Sequence, residues 1–335
     1  MAVLSTGAVT LAEWAKRVDP DGKTPAIVEI LNQSNEILQD MLFMEGNLPT
    51  GHRTTIRTGL PTAAWRLLNS GVQPSKSTTA QVDEACGMLE AFSIVDKDLA
   101  QLNGNVQQFR MSEAQPFTEA MNQAMATALF YGNSSTSPEQ FNGLSVRYSS
   151  LSASVANSKN ILSAGGAGAD NTSIWLIVWG QNTVCGAFPK GSKAGLIHED
   201  LGETTIENAN GVTGARMRAF EDHWQWKCGL VLKDWRYAVR ICNIDVSNLV
   251  SKSSAADLQE LMIKATHRIP NLSMGKPVFY MNRSVKQMLD IQRRDDVQAG
   301  GSLVYSDVDG KLLPAFRGIP VRTCDAILET ESVVS

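Results

Sequence analysis

The stretch KPVFYMNRSVKQMLDIQRRDD, at residues 276–296, is followed near the end of the chain by FRGIPV at residues 316–321. KPVFY is a short apolar run of the kind that forms a buried strand. MNRS then offers helix-starting side chains, and apolar residues follow at helical spacing from Val285. The charged residues 293–296 and the glycine pair at 300–301 end that helix. The sequence therefore predicts a strand, a helix and a Gly-Ile-Pro-Val turn in succession.

Composition and charge limit the classes of function. The 335 residues suffice for one large or two modest domains, and 43% hydrophobic with 19% charged residues is typical of a globular protein. The net charge of −4 argues against a protein that coats nucleic acid, because phosphate binding needs clustered positive charge. The five cysteines form no C-x-x-C pair, which predicts free thiols. Without a signal-like start or an apolar run of ~20 residues, we expect a cytosolically made protein with no membrane association.

Two helices are predicted within the first 45 residues. The first lies around Trp14, strong turn chemistry follows at residues 19–22, and the second spans residues 27–42 with one apolar face. Such a face must pack on this chain or on a neighbouring one.

Residues 46–95 predict a long two-stranded excursion. HRTTIRT at 52–58 and STTAQVDE at 77–84 are β-prone and polar, and Trp65 lies between them. A two-stranded ribbon is marginal alone in water and needs a partner surface. The residues alone favour an ordinary hairpin packed on its own domain.

A long helix is predicted from Ser112 to Tyr131. Ser112 and Gln115 fit a capping box, rows of methionine and alanine follow at helical spacing, and Gly132 can supply a left-handed stop.

Two strands and another helix are predicted further along the chain. One strand spans residues 174–180, and another begins near Trp224 with alternating apolar residues. The alternation changes phase at Lys233-Asp234, which predicts either a bulge or a tight hairpin. The helix after it is predicted to use Ser254 as its cap and to end before residue 270.

The succession of strand, helix and Gly-Ile-Pro-Val resembles the major capsid proteins of tailed phages that share the Hong Kong 97-type shell fold. Further stretches are similar to the GP-seven-type family of these proteins, found in epsilon-fifteen-like podoviruses. They are GNLPTGHR at 46–53, DNTSIW at 170–175, FPKGSKAGL at 188–196 and DWRY at 234–237. The resemblance therefore extends across nearly the whole chain.

This resemblance implies an α+β Hong Kong 97-type capsid fold and a protein that is not an enzyme. The expected parts are an N-arm with the first helices at 1–45, an E-loop at 46–95, a peripheral domain at 96–245 with its spine helix at 112–131, and an axial domain at 246–335. Usual members place the strand, helix and Gly-x-Pro-Val segment before the long strand of the peripheral domain. Here the strand region from Trp224 comes first, which predicts a permuted strand order.

The implied function is self-assembly into hexamers and pentamers of an icosahedral shell that encloses double-stranded DNA in the virion. The expected partners are further copies of the chain, a scaffolding protein and a portal, with a decoration protein as a further candidate. The DNA is enclosed without sequence-specific binding, no cofactor is expected, and the protein is made in the host cytoplasm. Three alternatives stay open: an encapsulin-like nanocompartment shell protein, a cytosolic enzyme with an unrecognised site, and a tail-tube protein.

Charged residues of the predicted E-loop are the candidate contacts between subunits. One hypothesis is that the arginines meet acidic patches on the next subunit. The other is a solvated hairpin with balanced charges, in which each exposed pair contributes ~0–1 kcal/mol. The candidate residues are Arg53, Arg57, Arg66, Lys76, Asp83 and Glu84.

No catalytic, cofactor-binding or metal site is predicted. GAFPKGSK at 186–193 is a near miss for a phosphate-binding loop, because Ser and Lys are swapped and Pro189 removes an N–H donor. His198 has acidic neighbours but no metal-ligand spacing, which predicts a solvated turn. His223 is expected to cap or end a strand.

Overall fold

The computed structural model describes residues 8, 9, 13, 31–102, 105–207, 213–252, 254–295, 303–308 and 311–335. The predicted first helix around Trp14, the turn at 19–22 and the glycine pair at 300–301 lie outside this part of the chain. The helices are α1 Ile37–Asp40, α2 Lys97–Gln101, α3 Val106–Tyr131, α4 Leu144–Arg147, α5 Val246–Ser251, α6 Leu258–Arg268 and α7 Arg283–Asp295. The strands are β1 Phe43–Glu45, β2 Gly51–Gly59, β3 Thr78–Ala85, β4 Gly87–Asp96, β5 Ile161–Ser163, β6 Asn171–Trp179, β7 Val184–Phe188, β8 Leu196–Glu207, β9 Arg216–Leu232, β10 Ala238–Asp245, β11 Lys276–Met281, β12 Leu303–Val308, β13 Lys311–Phe316 and β14 Ile319–Thr323.

A mixed sheet of 12 strands, with β6 at its centre, organises the body of the protein. Every residue of β6 is buried, which explains why its sequence is continuously apolar near its end instead of alternating. β6 pairs antiparallel with both β10 and β11. The strands predicted at 174–180 and 276–280 are thus confirmed, and they are neighbours. The sheet contains strands from both sides of residue 245, and the domain boundaries and the permuted order stay predictions.

The strand and helix that open the decisive stretch are confirmed. β11 and β14 pair in parallel, with Phe279 opposite Val321, and α7 lies between them in the chain. The turn consists of Arg317 and Gly318, with φ angles of 52° and 82°, the left-handed geometry of a two-residue hairpin. The segment Ile-Pro-Val after it is strand and not turn.

The long helix begins earlier than predicted. α3 starts at Val106, and the side chain of Asn105 caps it by accepting a backbone N–H of the first turn. Ser112 lies inside the helix, where its hydroxyl donates to the carbonyl of Phe109, so the predicted capping box is wrong. Phe109 packs against Val95 of β4, and this contact places the first turns of α3 on the sheet.

The predicted ends of three other elements are also corrected. Gly132 follows α3 with a φ of −52°, so it is not a left-handed stop. The second N-terminal helix is wrong within residues 31–42, where only the short α1 is helical. Asp257, and not Ser254, caps α6 by accepting the N–H of Glu260.

The change of phase at Lys233-Asp234 is neither a bulge nor a tight hairpin. β9 pairs with β4, β7 and β8, whereas β10 pairs with β5 and β6, so the two strands are not partners. A 3-10 turn at residues 235–237 joins them. The phase changes because the chain passes from one part of the sheet to another.

A buried ion pair fixes the C-terminal segment to the centre of the sheet. Arg240 of β10 donates to the carboxylate of Glu331 at 2.8 Å, and both side chains are about 5% exposed or less. The guanidinium also donates to Ser173 and to the carbonyl of Tyr148, and it lies 5.1 Å from the ring of Trp175. The hydrogen bonds of Arg240 are therefore made inside the subunit.

Candidate subunit-contact surface

A two-stranded hairpin projects from the body of the protein. β2 and β3 pair antiparallel from Gly51 opposite Ala85 to Gly59 opposite Thr78, in a sheet of their own. Nine residues in β2 give this ribbon a length of roughly 30 Å. The hairpin tip, residues 60–77, is exposed at every position from 60 to 76. The predicted two-stranded excursion is confirmed, and the described body of the subunit does not cover its tip.

Large apolar side chains are exposed at the hairpin tip. Trp65 is 105% exposed and Leu68 is 91% exposed, and Leu60 and Leu67 are each 81% exposed. Several large apolar side chains on one projecting loop mark an interaction surface, because a single solvated loop gains nothing from them. The tip therefore has the chemistry of a segment that is buried by a partner.

The hairpin root, formed by Gly51, His52 and Glu84, is buried. Arg147 of α4 reaches both carboxylate oxygens of Glu84, with Nη2 to Oε2 at 2.6 Å. The same guanidinium donates to the carbonyl of Leu230 in β9 at 3.2 Å. Arg147 thus ties the root to the large sheet, a contact that sequence reasoning missed because its partners are far apart in the chain.

The predicted contact residues divide into two groups. Arg53 and Asp83 form a two-point hydrogen-bonded pair across the hairpin, with both distances at 2.6 Å. The hydrogen bond from Arg53 lowers the pKa of the Asp83 carboxyl. Glu84 is held inside the subunit by Arg147. Arg57, Arg66 and Lys76 are exposed, and none of them has an acidic partner within the described residues.

A comparison with known families identifies the chain. The family model described as major capsid protein GP7 matches residues 19–335. The chain belongs to the GP7 family of major capsid proteins.

The capsid protein is similar to several solved structures. A chain of bacteriophage Epsilon15, from a near-atomic structure derived by electron cryo-microscopy, is 33% identical, covers 100% of this chain and 99% of its own, and gives a TM-score of 0.78. The capsid of a native GTA particle is 10% identical over 69% of this chain and 97% of its own, with a TM-score of 0.47. The holo-SrpI encapsulin complex from Synechococcus elongatus PCC 7942 is 10% identical over 70% and 96%, with a TM-score of 0.42. No curated protein sequence matches the chain.

The family assignment confirms the Hong Kong 97-type capsid fold and the shell-forming role predicted from the sequence. The Epsilon15 similarity favours a phage capsid over the encapsulin and enzyme alternatives. A virion location fits this assignment, and none of the described helices is long and apolar enough to cross a membrane. The hairpin tip is a segment that the described residues of its own subunit leave exposed.

Two histidines of the capsid protein lie where the sequence did not place them. His198 is in strand β8 and not in a solvated turn, and its Nε2 lies 3.0 Å from Asp222. Arg110 of α3 donates to the same carboxylate at 2.9 Å. His223 lies within β9, stacked on Phe92 at 4.4 Å, instead of ending the strand. The Arg110 contact joins α3 to the sheet, and the two histidine contacts lie within the sheet. The described residues include no group of His, Cys, Asp or Glu that could hold a metal ion.

His52 at the hairpin root makes the stability of the capsid protein depend on pH. Burial lowers the pKa of His52 below 6.5, and the nearby charge of Lys233 lowers it further, against an opposing effect of Glu84. The unfolded chain therefore takes up the proton first as the pH falls below about 6.5. The stabilising contribution of neutral His52 is present above this pH and is lost as the pH falls toward the lower pKa of the folded state.

We expect the His52→Gln variant to lose less thermal stability than the wild type between pH 7.5 and pH 5.5. The measurement is the melting temperature of the unassembled full-length chain across that range, followed by circular dichroism. Carboxylates titrate equally in both proteins, so the difference between the two curves reports His52. Parallel curves would contradict the assignment.

Proposed function

We propose that this capsid protein assembles into hexamers and pentamers of an icosahedral shell around double-stranded DNA. The observation that carries the proposal is the hairpin, whose ribbon of roughly 30 Å ends in an exposed apolar and basic tip. A two-stranded ribbon is marginal alone, and a neighbouring subunit supplies the missing surface. The hairpin is then the E-loop of the family, and the N-arm at 1–45, peripheral domain at 96–245 and axial domain at 246–335 complete the subunit.

An icosahedral shell that packages DNA implies further protein partners. The chain associates mainly with copies of itself, and a scaffolding protein, a portal and a decoration protein are the proposed further partners. The net charge of −4 suits a wall that encloses DNA without binding its sequence. The protein is made in the host cytoplasm and ends in the virion.

Electron microscopy and analytical ultracentrifugation of the purified full-length chain test the proposal. We expect closed particles, or rings of five and six subunits, alone or with a scaffolding protein present. A small oligomer of one size that persists when scaffold is present would overturn the proposed shell.

Removing two of the three positive hairpin charges that have no acidic partner among the described residues is expected to weaken assembly. Arg57→Ala combined with Lys76→Ala should lower the particle yield several-fold, because many weak contacts act together in a closed shell. The matched control, Lys190→Ala with Lys193→Ala, removes the same charge from an exposed loop outside the hairpin. Sedimentation of the particles gives the yield. Equal particle yields from the two double variants would show that Arg57 and Lys76 do not contribute to the contact between subunits.

A further inference from the structure

An apolar pocket lies between the start of β4 and the C-terminal half of the spine helix α3. Its volume is ≈ 130 Å³, which is close to the size of a cavity that holds one benzene ring. Its apolar lining consists of Met88, Leu89, Ala124, Met125, Ala128 and Phe141. The alanines of α3 leave space beside β4 that a larger side chain would fill. The volume and the apolar lining suit one six-membered aromatic ring.

The same chain carries an aromatic side chain that is fully exposed in its own subunit. Trp65 at the hairpin tip is 105% exposed, so no atom of the described body shields its indole. Tryptophan is the side chain that most often anchors a protein interface when it enters a desolvated pocket. A second copy of the chain therefore offers a pocket that the six-membered ring of this indole can enter.

The geometry of the hairpin directs Trp65 to another copy. Gly87, which borders the pocket, lies two positions beyond the end of β3 at the hairpin root. Trp65 lies at the opposite end of the ribbon, roughly 30 Å away along the strands. While β2 and β3 stay paired, Trp65 cannot enter the pocket of its own subunit. A contact from the tip of one copy to the root of the next is head-to-tail, and contacts of this kind form a ring when the rotation between neighbouring copies closes.

Charges beside the ring and the pocket are complementary. Arg66 follows Trp65 in the exposed tip, and Glu139 stands exposed on the border of the pocket. A positive side chain adjacent to the anchor and a negative side chain at the border of its pocket fix the orientation of docking.

We propose that Trp65 of one subunit inserts into the pocket between β4 and α3 of the next subunit, with Arg66 paired to Glu139 at its border. This inference rests on the proposed shell function and names a contact on which each hexamer and pentamer depends. The indole excludes water from Met88, Ala124 and Phe141, and the ion pair sets the direction in which it enters.

Four variants of the full-length chain test the contact. Trp65→Ala is expected to lower the yield of rings and particles at least tenfold, whereas Leu60→Ala, its control in the same exposed tip, changes the yield by less than threefold. Ala124→Phe fills the pocket from an exposed position on α3 and is expected to block assembly as strongly as Trp65→Ala. Circular dichroism and melting temperature of each unassembled chain show that the variants are folded. Wild-type yields from folded Trp65→Ala or Ala124→Phe chains would overturn the proposal.

Charge reversal gives a test in which restored assembly cannot result from misfolding. Arg66→Glu and Glu139→Arg should each lower the yield, and the double variant should restore most of it, because the pair is rebuilt in the opposite sense. If the particle yield of the double variant is no higher than that of the worse single variant, Arg66 and Glu139 do not form an ion pair. If the wild type forms no rings or particles under any condition, the proposed function fails. If the wild type assembles and all the variants match it, only this contact fails.

Discussion

Replacing Arg240 by methionine is expected to lower the free energy of unfolding of the unassembled chain by about 3–5 kcal/mol. Methionine keeps most of the length of the side chain, so packing beside Trp175 is largely retained. The loss is electrostatic, because Glu331 stays in the interior with its partner cation removed. The hydroxyls of Tyr131 and Ser173 still donate to that carboxylate, but neither carries a charge.

Urea unfolding of the full-length chain, followed by circular dichroism, measures this loss. The control is the double variant with Arg240→Met and Glu331→Gln, which removes both charges. We expect the double variant to be more stable than Arg240→Met alone, since no uncompensated charge is left in the interior. If Arg240→Met is as stable as the wild type, the pair does not hold the C-terminal segment in the way that the structure indicates.

Replacing Arg147 by methionine is expected to free the hairpin root, at a local cost of about 3–5 kcal/mol. Arg147 supplies the only positive charge that contacts the Glu84 carboxylate in the described part of the subunit, and Glu84 is 7% exposed. Without it, the root must open to hydrate the carboxylate. β2 and β3 would then lose their fixed direction relative to the large sheet, while the core around β6 is unaffected.

Hydrogen exchange of the backbone amides in β2 and β3 reports this opening. In Arg147→Met the amides near the root should exchange faster by a factor of a hundred or more, with little change in β6. Arg53→Ala is the matched control, because it breaks the exposed pair with Asp83 in the same ribbon and is expected to change exchange only slightly. Faster exchange in Arg53→Ala than in Arg147→Met would show that the exposed pair, and not the buried one, sets the hairpin direction.

The sequence predicts those elements whose pattern is local. β6 and β11 follow from short apolar runs, and β2 and β3 follow from polar β-prone segments on either side of a glycine- and proline-containing stretch. The start of α3 was misplaced because packing of Phe109 on β4, a contact with another element, extends the helix beyond Ser112. The change in apolar alternation after β9 has a similar cause, because the residues at that position do not indicate which strands β9 and β10 pair with.

The contact surface was predicted less completely than the fold. The exposed charges of the hairpin could be found from composition, but their division into paired and unpaired groups depends on the register of Arg53 opposite Asp83. Arg147 is 63 residues from Glu84 and has no motif around it. Arg240 did leave a signal, because a lone arginine in the apolar run AVRIC requires a buried partner.

The position of Glu331 in the chain has a consequence for synthesis. Glu331 is made 91 residues after Arg240, so a nascent chain contains the buried cation of β10 well before its counterion exists. We expect the centre of the sheet to close around Arg240 only after the segment that carries Glu331 has been made. A polypeptide that stops before Glu331 would keep an unneutralised cation in its core, and we expect it to be less stable than a chain that contains both charges.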